Sequence, residues 1–235
     1  MAKTLKRMTS LTERKEDAWR SAALLIIIGL GGLFSGREVG IAIAVVVFMF
    51  AATHIQRSRI WAAGESGEAG VHNILARLPE DHYVIHDIVL PKDKGTAQLD
   101  HVVVNRSGVF AIESKNFTGT ISGSDDVCMH YTPGGARRLY PPGKQVHGHA
   151  EAIRAILAGR PEYNVPAKPI PVKAVVAFSD RLRVRYKTPL AKVLKLKNLH
   201  EYIDSESHEN LLTPEQAASL ALYILAFDLS KKRYG

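Results

Sequence analysis

The chain has 235 residues, of which 46% are hydrophobic and 23% are charged. This balance excludes a disordered chain and a protein embedded in a membrane over its whole length, and the length allows one domain with a core plus a smaller element. A net charge of +8 favours a polyanionic partner, either nucleic acid or an anionic lipid surface, unless the excess serves only solubility and topology. The one cysteine, Cys128, cannot form an internal disulfide, and with His130 it makes too small a set for a metal site.

Two apolar runs lie near the N-terminus, at residues 22–34 and 39–53, and a polar break that contains Arg37 and Glu38 separates them. Extended to residues 19–35 and 39–55, each run approaches the lower limit for a helix that crosses a bilayer. One continuous helix would bury Arg37 and Glu38 in the membrane, so the pattern favours a hairpin of two transmembrane helices, with a re-entrant or interfacial hairpin as the alternative. The basic flanks place both ends in the cytoplasm. The prediction is a two-span anchor in the cell membrane with the remaining domain in the cytoplasm.

From residue 64 onward the composition is that of a soluble domain. The glycine-rich residues 64–70 predict a flexible joint before a helix whose apolar face runs from Val71 to Leu78. Strands are predicted at 83–90, 99–104, 109–114 and 119–122, followed by a loop-rich stretch at 123–143, a helix at 144–158, a buried strand at 172–178 and a last helix after the capping box at Thr213. This order predicts an α/β fold with a mixed sheet flanked by helices.

The predicted organisation therefore has four parts. A basic leader spans residues 1–18 and the membrane anchor spans residues 19–55. The main domain covers residues 64–180, and residues 181–235 form a helical extension packed on it.

Three ionisable residues are predicted to meet on one hairpin. Residues 105–108 form its loop by composition, and if the loop is symmetric Val104 pairs with Val109 and Asp100 faces Glu113. Lys115 then shares the face of Glu113. Opposed carboxylates repel each other unless one keeps its proton or a cation such as Mg²⁺ or Mn²⁺ binds between them. The alternative is a solvated face with an ordinary Glu–Lys pair, and a slip of one residue would break the arrangement.

Residues 100–104 (DHVVV) and 108–115 (GVFAIESK) resemble the NERD (nuclease-related) domain, which looks like a branch of the PD-(D/E)XK nuclease superfamily. The Gly-Glu-rich residues 64–68 and Gln145, which follows a proline pair, are similar to two further elements of that family. Two departures are Ser114, where the family often has an apolar residue, and an extra step between the prolines and the glutamine. The resemblance covers about residues 64–157 and implies a restriction-endonuclease-like fold.

The resemblance implies metal-dependent hydrolysis of DNA phosphodiester bonds. Asp100 and Glu113 would bind Mg²⁺ (or Mn²⁺), with the backbone carbonyl of Ser114 as a further ligand. Lys115 would orient the attacking water and stabilise the charge that develops on the phosphoryl group. Together with the apolar runs, this implies a membrane-anchored nuclease that acts on the cytoplasmic side.

Further residues have roles around this centre. By resemblance, Gln145 would bind a phosphate or steady the lysine, and Glu68 would be an outer carboxylate or a ligand of a second metal ion. His147 and His149 point to different faces of a helix, which favours phosphate or partner contacts over a zinc pair. A basic cluster near the site is predicted to bind nucleic acid: Arg137, Arg138 and Lys144. A second basic set alternates along the chain and would line an edge or face, or simply be solvated: Arg181, Arg183, Arg185 and Lys187.

Two other classes of function stay open at this stage. A catalytically inactive nucleic-acid-binding module would bind in a salt-sensitive way and cleave nothing. A membrane scaffold for a DNA-processing complex would not bind nucleic acid even at low salt. The sequence favours DNA over RNA only weakly and does not indicate an oligomeric state.

Overall fold

A computed structural model describes residues 1–6, 10–34, 38–160 and 169–230 of the chain. The chain divides into two compact units, one formed by Met8–Glu68 and the other by Met1–Arg7 together with Ala69–Gly235. The chain therefore leaves the larger unit near its first residues and returns to it after the smaller unit.

The smaller unit is helical. Helix α1 spans Ser10–Phe34, and helix α2 spans Glu38–Ala76 and so extends into the second unit. The two helices approach closely at Gly29, where an added Cβ would lie 3.0 Å from the Phe48 ring. Residues 64–70, predicted to be a flexible joint, lie within α2. Glu68 is in this stretch, and its side chain lies outside the described part of the chain.

The prediction of a transmembrane hairpin at residues 19–35 and 39–55 is wrong. Across the described ranges, no helix combines the length and the apolar character that a bilayer crossing needs. The first half of α1 is densely charged, and the uninterrupted apolar runs at 22–34 and 39–53 are shorter than the roughly 20 residues that span a bilayer. The two-span membrane location, which rested on this hairpin, is wrong for the same reason.

The larger unit is built on a six-stranded mixed sheet, hereafter the first sheet. Its strands lie in the order β1 (Lys3–Lys6), β2 (Tyr83–Pro91), β3 (Thr96–Asn105), β4 (Gly108–Lys115), β8 (Val172–Phe178) and β10 (Lys192–Lys195). Strands β2, β3 and β4 are antiparallel neighbours, whereas β1, β8 and β10 pair in parallel. The mixed sheet agrees with the sequence-based expectation, and β1 comes from the segment expected to be a leader.

A second sheet has four strands in the order β7 (Gly135–Leu139), β6 (Cys128–Thr132), β5 (Gly119–Gly123) and β9 (Leu182–Tyr186). Strands β6 and β7 form a hairpin inside the stretch that was predicted to be loop-rich. Strands β9 and β10 lie in the segment 181–235, which was expected to be helical. Both β5 and β9 continue from paired strands of the first sheet, β4 and β8, after short connections.

The β3–β4 hairpin has the predicted register. Val104 pairs with Val109, and the antiparallel ladder continues as far as His101 and Ile112. The last residue of the loop must be glycine, because Gly108 has φ +136° and an added Cβ would lie 2.5 Å from the carbonyl oxygen of Pro171. A side chain at this position would therefore displace the connection to β8.

Helices cover both faces of the first sheet. On one face, α3 (Pro142–Ala158) and α5 (Pro214–Ala226) pack over a core that contains Val102, Ala111 and Ile153. On the other face, the last turns of α2 and the short α4 (Leu199–Ser205) pack over Phe110 and Val175. Burial of each large side chain contributes about 1.5–3 kcal/mol, so the sheet is stabilised from both sides.

Helix α5 begins as predicted. The Thr213 side chain accepts a hydrogen bond from the Gln216 backbone nitrogen at 3.2 Å, and the Gln216 side chain accepts one from the Thr213 backbone nitrogen at 2.8 Å. This reciprocal pair is the capping box that the sequence predicts.

Candidate active site

Strand β4 places two of the predicted site residues on the face covered by α3. Val109 and Ala111 belong to the core beneath that helix, and the alternation of a strand carries Glu113 and Lys115 to the same face. Glu113 is 1% exposed, and the Lys115 ammonium donates to its Oε1 atom. A solvated Glu–Lys pair, the alternative from the sequence, does not describe this buried carboxylate.

Asp100 reaches the same site but leaves the strand ladder to do so. Its Oδ2 atom accepts hydrogen bonds from the Ser114 backbone nitrogen at 2.9 Å and from the Ser114 hydroxyl at 3.3 Å. Asp100 is therefore fixed against the residue that separates Glu113 from Lys115. The register predicts that the two carboxyl groups are neighbours, and the structure brings them together through Ser114 rather than as a ladder pair.

Burial opposes the ionisation of both carboxyl groups, and Asp100 adds to this effect at Glu113. Burial, followed by repulsion from Asp100, raises the pKa of Glu113 to about 8, against the opposing effects of Lys115 and Gln145. Burial also raises the pKa of Asp100, and the nearby Lys115 charge acts in the opposite direction. Together these effects favour the protonated, neutral form of Glu113 near pH 7, and a bound cation would act in the opposite direction.

Helix α3 supplies the remaining wall of the site. Gln145 and His149 lie one turn apart on the same helix face, and the Gln145 side chain hydrogen bonds to Glu113. His149 is 7% exposed, and its Nδ1 atom lies 3.5 Å from Glu113 Oε2. Burial lowers the pKa of His149 to about 4, so its ring is neutral near pH 7.

Two buried atoms of this wall lack a hydrogen-bond partner. Among the residues that the structure describes, three buried side-chain atoms are unpaired: Glu113 Oε2 and His149 Nδ1 at this site, and His101 Nε2 on the opposite face of the first sheet. Buried polar atoms are nearly always satisfied, so such a pair indicates a position where a water or ion belongs. Sequence reasoning did not assign His149 to the site, although its spacing of four residues from Gln145 was a usable signal.

His147 points away from the site, as predicted for a residue two positions from His149. Its Nε2 atom lies 3.6 Å from Glu151 on the outer surface of α3. The two side chains therefore lie on different faces of α3.

The three basic residues predicted to bind nucleic acid are placed in different surroundings. Arg137 donates to the His130 ring at 3.4 Å and lies 5.4 Å from the centre of the Phe117 ring. Arg138 and Lys144 line a shallow cavity of about 480 Å³ that also contains Asp125 and Asp126. The Lys144 ammonium is 3.9 Å from Asp126, so acidic neighbours offset part of this basic cluster.

Cys128 and His130 have structural roles. Cys128 is fully buried in the core, where burial raises the pKa of its thiol. His130 hydrogen bonds to the Thr118 carbonyl oxygen at 2.6 Å and stacks on Phe117.

The donor set suits a hard divalent cation with an incomplete protein shell. Within the described ranges, no three His, Cys, Asp or Glu side chains are grouped closely enough to hold a metal ion by themselves. Asp100 and Glu113 provide two carboxylates, and Glu113 Oε2 is a buried oxygen without a partner in that same set of residues. Mg²⁺ is often held by one or two carboxylates, with water and substrate phosphate as its other ligands, so these residues fit it.

A second buried polar cluster lies on the opposite face of the first sheet. His72 of α2 bonds to His86 of β2 at 3.0 Å, and His86 bonds to His101 of β3 at 2.7 Å. We call these three residues the histidine chain. Burial lowers the pKa of both His86 and His101 to about 3, with a further contribution from His101 and His72 at His86 and from His72 at His101. The sequence analysis did not predict this cluster, which depends on the pairing of His86 with His101.

Comparison with known proteins agrees with the geometry of the site. Residues 63–179 match the family model for NERD, the nuclease-related domain, and the matched range contains Asp100, Glu113, Lys115 and Gln145. The chain belongs to the NERD family. It is also 29% identical over 157 residues to an uncharacterized protein of Bacillus anthracis, an alignment that covers 65% of this chain and 71% of the relative. No solved structure matches the chain.

Membership of the NERD family supports a nuclease-related function in general terms. The matched range contains β2 to β8, whereas β1, β9, β10, α4 and α5 lie outside it. The family assignment therefore concerns the part of the fold that carries Asp100, Glu113, Lys115 and Gln145.

Proposed function

We propose that this NERD-family protein is a nuclease that hydrolyses DNA phosphodiester bonds with Mg²⁺ (or Mn²⁺) bound at Asp100 and Glu113. The observation that carries the proposal is the buried Glu113 Oε2 atom, which has no hydrogen-bond partner in the described structure. A buried carboxylate oxygen without a partner is costly, and a bound cation would offset that cost. The adjacent second carboxylate and the lysine give the site the charge pattern of phosphodiester hydrolysis.

Each residue has a definite task in this proposal. A bound divalent cation would polarise the phosphoryl oxygen and lower the pKa of water. Asp100, fixed by the Ser114 backbone, and Glu113, fixed by Lys115 and Gln145, would hold that cation, with the Ser114 carbonyl as a further ligand. The Lys115 ammonium would release Glu113 Oε1, orient the attacking water and stabilise the growing negative charge on the phosphoryl oxygens.

The residues around this centre would bind the substrate. Gln145 would contact a phosphate or steady Lys115. The exposed basic residues near the site would contact the DNA backbone: Arg137, Arg138 and Lys144. DNA is proposed rather than RNA because residues 100–104 and 108–115 resemble a branch of the PD-(D/E)XK superfamily of DNA nucleases.

The test is DNA cleavage by the full-length protein with and without Mg²⁺. We expect Lys115→Ala to lower the cleavage rate at least about 100-fold, since it removes a cation from the developing charge. Lys173→Ala is the matched control, because Lys173 is also a partly buried strand lysine paired with a glutamate, at 2.6 Å from Glu206. Thermal unfolding of both variants shows whether the fold is retained.

Cleavage by a folded Lys115→Ala variant at the wild-type rate would refute the role of the lysine. Calorimetric titration of Mg²⁺ into the metal-free protein tests the cation separately, with Asp100→Ala as the variant that should lose the binding heat. Equal binding heats in the two proteins would refute the metal assignment.

A second candidate is a catalytically inactive nucleic-acid-binding module. It is favoured by the absence, across the described ranges, of a group of three side chains that could hold a metal ion. It predicts salt-sensitive binding of DNA without cleavage under any divalent cation, so the same cleavage assay separates the two candidates.

A further inference from the structure

The second sheet is unusually rich in arginine. Its four strands contain Arg137, Arg138, Arg183 and Arg185 and no aspartate or glutamate. Strand β9 carries two of them at alternating positions, which confirms the alternation read from the sequence. A sheet without acidic residues leaves these positive charges uncompensated within the strands themselves.

The register of the second sheet places three of the four arginines on one face. Arg183 pairs with Thr120 and Arg185 pairs with Ser122 across the β9–β5 pair. The same two rows continue across β6 and β7, because directly paired residues share a face. One row consists of Arg183, Thr120, Tyr131 and Ala136, and the other consists of Arg185, Ser122, Met129 and Arg138.

This face is exposed, whereas the opposite face is part of the core. Arg138, Arg183 and Arg185 are exposed, and Tyr131 is 46% exposed between them. The other face buries Ile121, Cys128, Leu182 and Tyr186. We call the exposed set of Arg138, Arg183, Arg185 and Tyr131 the arginine face.

The arginine face is close to the candidate active site along the chain. Strand β4 ends at Lys115 and β5 begins at Gly119, and the neighbouring strand β8 ends at Phe178 just before β9 begins at Leu182. Thr120, the partner of Arg183, is five residues from Lys115, which corresponds to at most about 17 Å of extended chain. Only a few nucleotides would separate a strand on this face from the scissile bond.

We propose that the arginine face binds single-stranded nucleic acid and directs it to the active site. Arg183 and Arg185 lie about 7 Å apart along one strand, so they can contact successive phosphates. The exposed Tyr131 ring offers a stacking surface for an unpaired base between those arginines and Arg138. An acidic protein could pair with the arginines, but it would provide no base to stack on the Tyr131 ring. The inference identifies the substrate class of the proposed nuclease and rests on that function.

The test is binding of a fluorescent thymidine 20-mer to the full-length protein in EDTA, read by anisotropy over a range of salt concentrations. The Arg183→Gln/Arg185→Gln variant should weaken binding at least tenfold. It should also reduce the slope of log affinity against log salt by about 1.4, because each phosphate contact on a single strand contributes about 0.7. Tyr131→Leu should weaken single-strand binding about fivefold or more and leave duplex binding within twofold.

The matched control is Lys3→Gln/Arg77→Gln, which removes the same charge from two exposed positions outside the second sheet. Wild-type affinity in the arginine double variant, an equal loss in the control, or equally tight binding of polyglutamate would each overturn the proposal. Thermal unfolding confirms that the variants fold, which is expected because all the exchanged arginines are exposed.

The two proposals can fail independently. Binding in EDTA does not require cleavage, so a strand that binds to the arginine face of a protein that never cuts supports this inference and refutes the nuclease. Cleavage that depends on Lys115 but is indifferent to Arg183 and Arg185 at high salt and at low salt refutes this inference alone.

Discussion

Two buried polar clusters lie on opposite faces of the first sheet, and sequence neighbours contribute to each. Asp100 belongs to the acidic cluster with Glu113, Lys115 and His149, whereas His101 belongs to the histidine chain. Burial lowers the pKa of His86 and His101 to about 3, so these two rings are neutral near pH 7 and hydrogen bond to each other. Two carboxylates repel each other unless one of them carries a proton or a lysine or metal cation lies beside them. Each cluster contains a buried atom without a partner in the described structure, His101 Nε2 in the histidine chain and Glu113 Oε2 in the acidic cluster, but only the acidic cluster offers carboxylate oxygens. The comparison therefore supports the proposal that the acidic cluster, rather than the histidine chain, binds a cation.

The largest expected effect on stability comes from the histidine chain and depends on pH. The pKa of His86 is about 3 in the folded protein and 6.5 in an unconstrained chain, so below pH 6.5 the unfolded chain takes up a proton that the folded protein does not. Stability therefore falls as the pH falls, with a slope for this residue that approaches about 1.4 kcal/mol per pH unit below pH 5.5, or roughly 2 kcal/mol between pH 6.5 and 4.5. Urea unfolding at several pH values measures this slope.

His86→Gln sharpens the test, since glutamine keeps a donor and an acceptor but does not titrate in this range. Its slope should be smaller than that of the wild type by about 1.4 kcal/mol per pH unit. Identical slopes would mean that His86 is protonated in the folded protein and that the two clusters do not differ as described.

A smaller effect on stability is expected in the acidic cluster, where removal of the titratable group should stabilise the protein. Without a divalent cation, Glu113→Gln should stabilise the protein by about 1–2 kcal/mol, because it removes a buried carboxyl group that Asp100 repels. Asp100→Asn should be nearly neutral, since an amide oxygen can still accept from the Ser114 backbone. Thermal unfolding at pH 7.5 measures both variants.

Added Mg²⁺ completes the comparison for the same variants. It should raise the melting temperature of the wild-type protein and leave that of Glu113→Gln unchanged, since only a folded site with both carboxylates binds the ion. Destabilisation of Glu113→Gln by more than about 1 kcal/mol in EDTA would show that the carboxylate has a structural role.

The smallest effect is expected next to the acidic cluster. His147→Ala removes an exposed ring whose Nε2 atom lies 3.6 Å from Glu151 Oε1, so stability should change by less than about 0.5 kcal/mol and cleavage should not change. A clear loss of cleavage in this variant would extend the active site to the outer surface of α3.

Much of the hairpin and the residues of the site could be predicted from sequence because they depend on local rules. Strand alternation and a symmetric loop give the register from Val104–Val109 to His101–Ile112. These rules could not predict that Asp100 leaves the ladder to accept hydrogen bonds from Ser114. They also gave no measure of burial, so the 1% exposure of Glu113 could not be predicted.

Other features depend on contacts between distant parts of the chain. Strands β6 and β7 are only five residues each and lie among glycines and prolines, so their pattern was too short to distinguish from loops. The transmembrane prediction failed because borderline apolar runs were lengthened to reach the bilayer thickness. The histidine chain needs the β2–β3 register and the position of α2, which no local pattern contains.

Strand β1 determines what can be removed from this protein. Lys6 at its end forms an ion pair of 2.7 Å with Asp228 and also donates to Ser230, so the first and last described segments of the larger unit are joined. A fragment cut to the family boundaries, residues 63–179, would lose this junction. It would also leave the β2 edge with unpaired backbone groups, which is a starting point for aggregation. An insoluble fragment of this kind would reflect the missing edge strand rather than the quality of the active site.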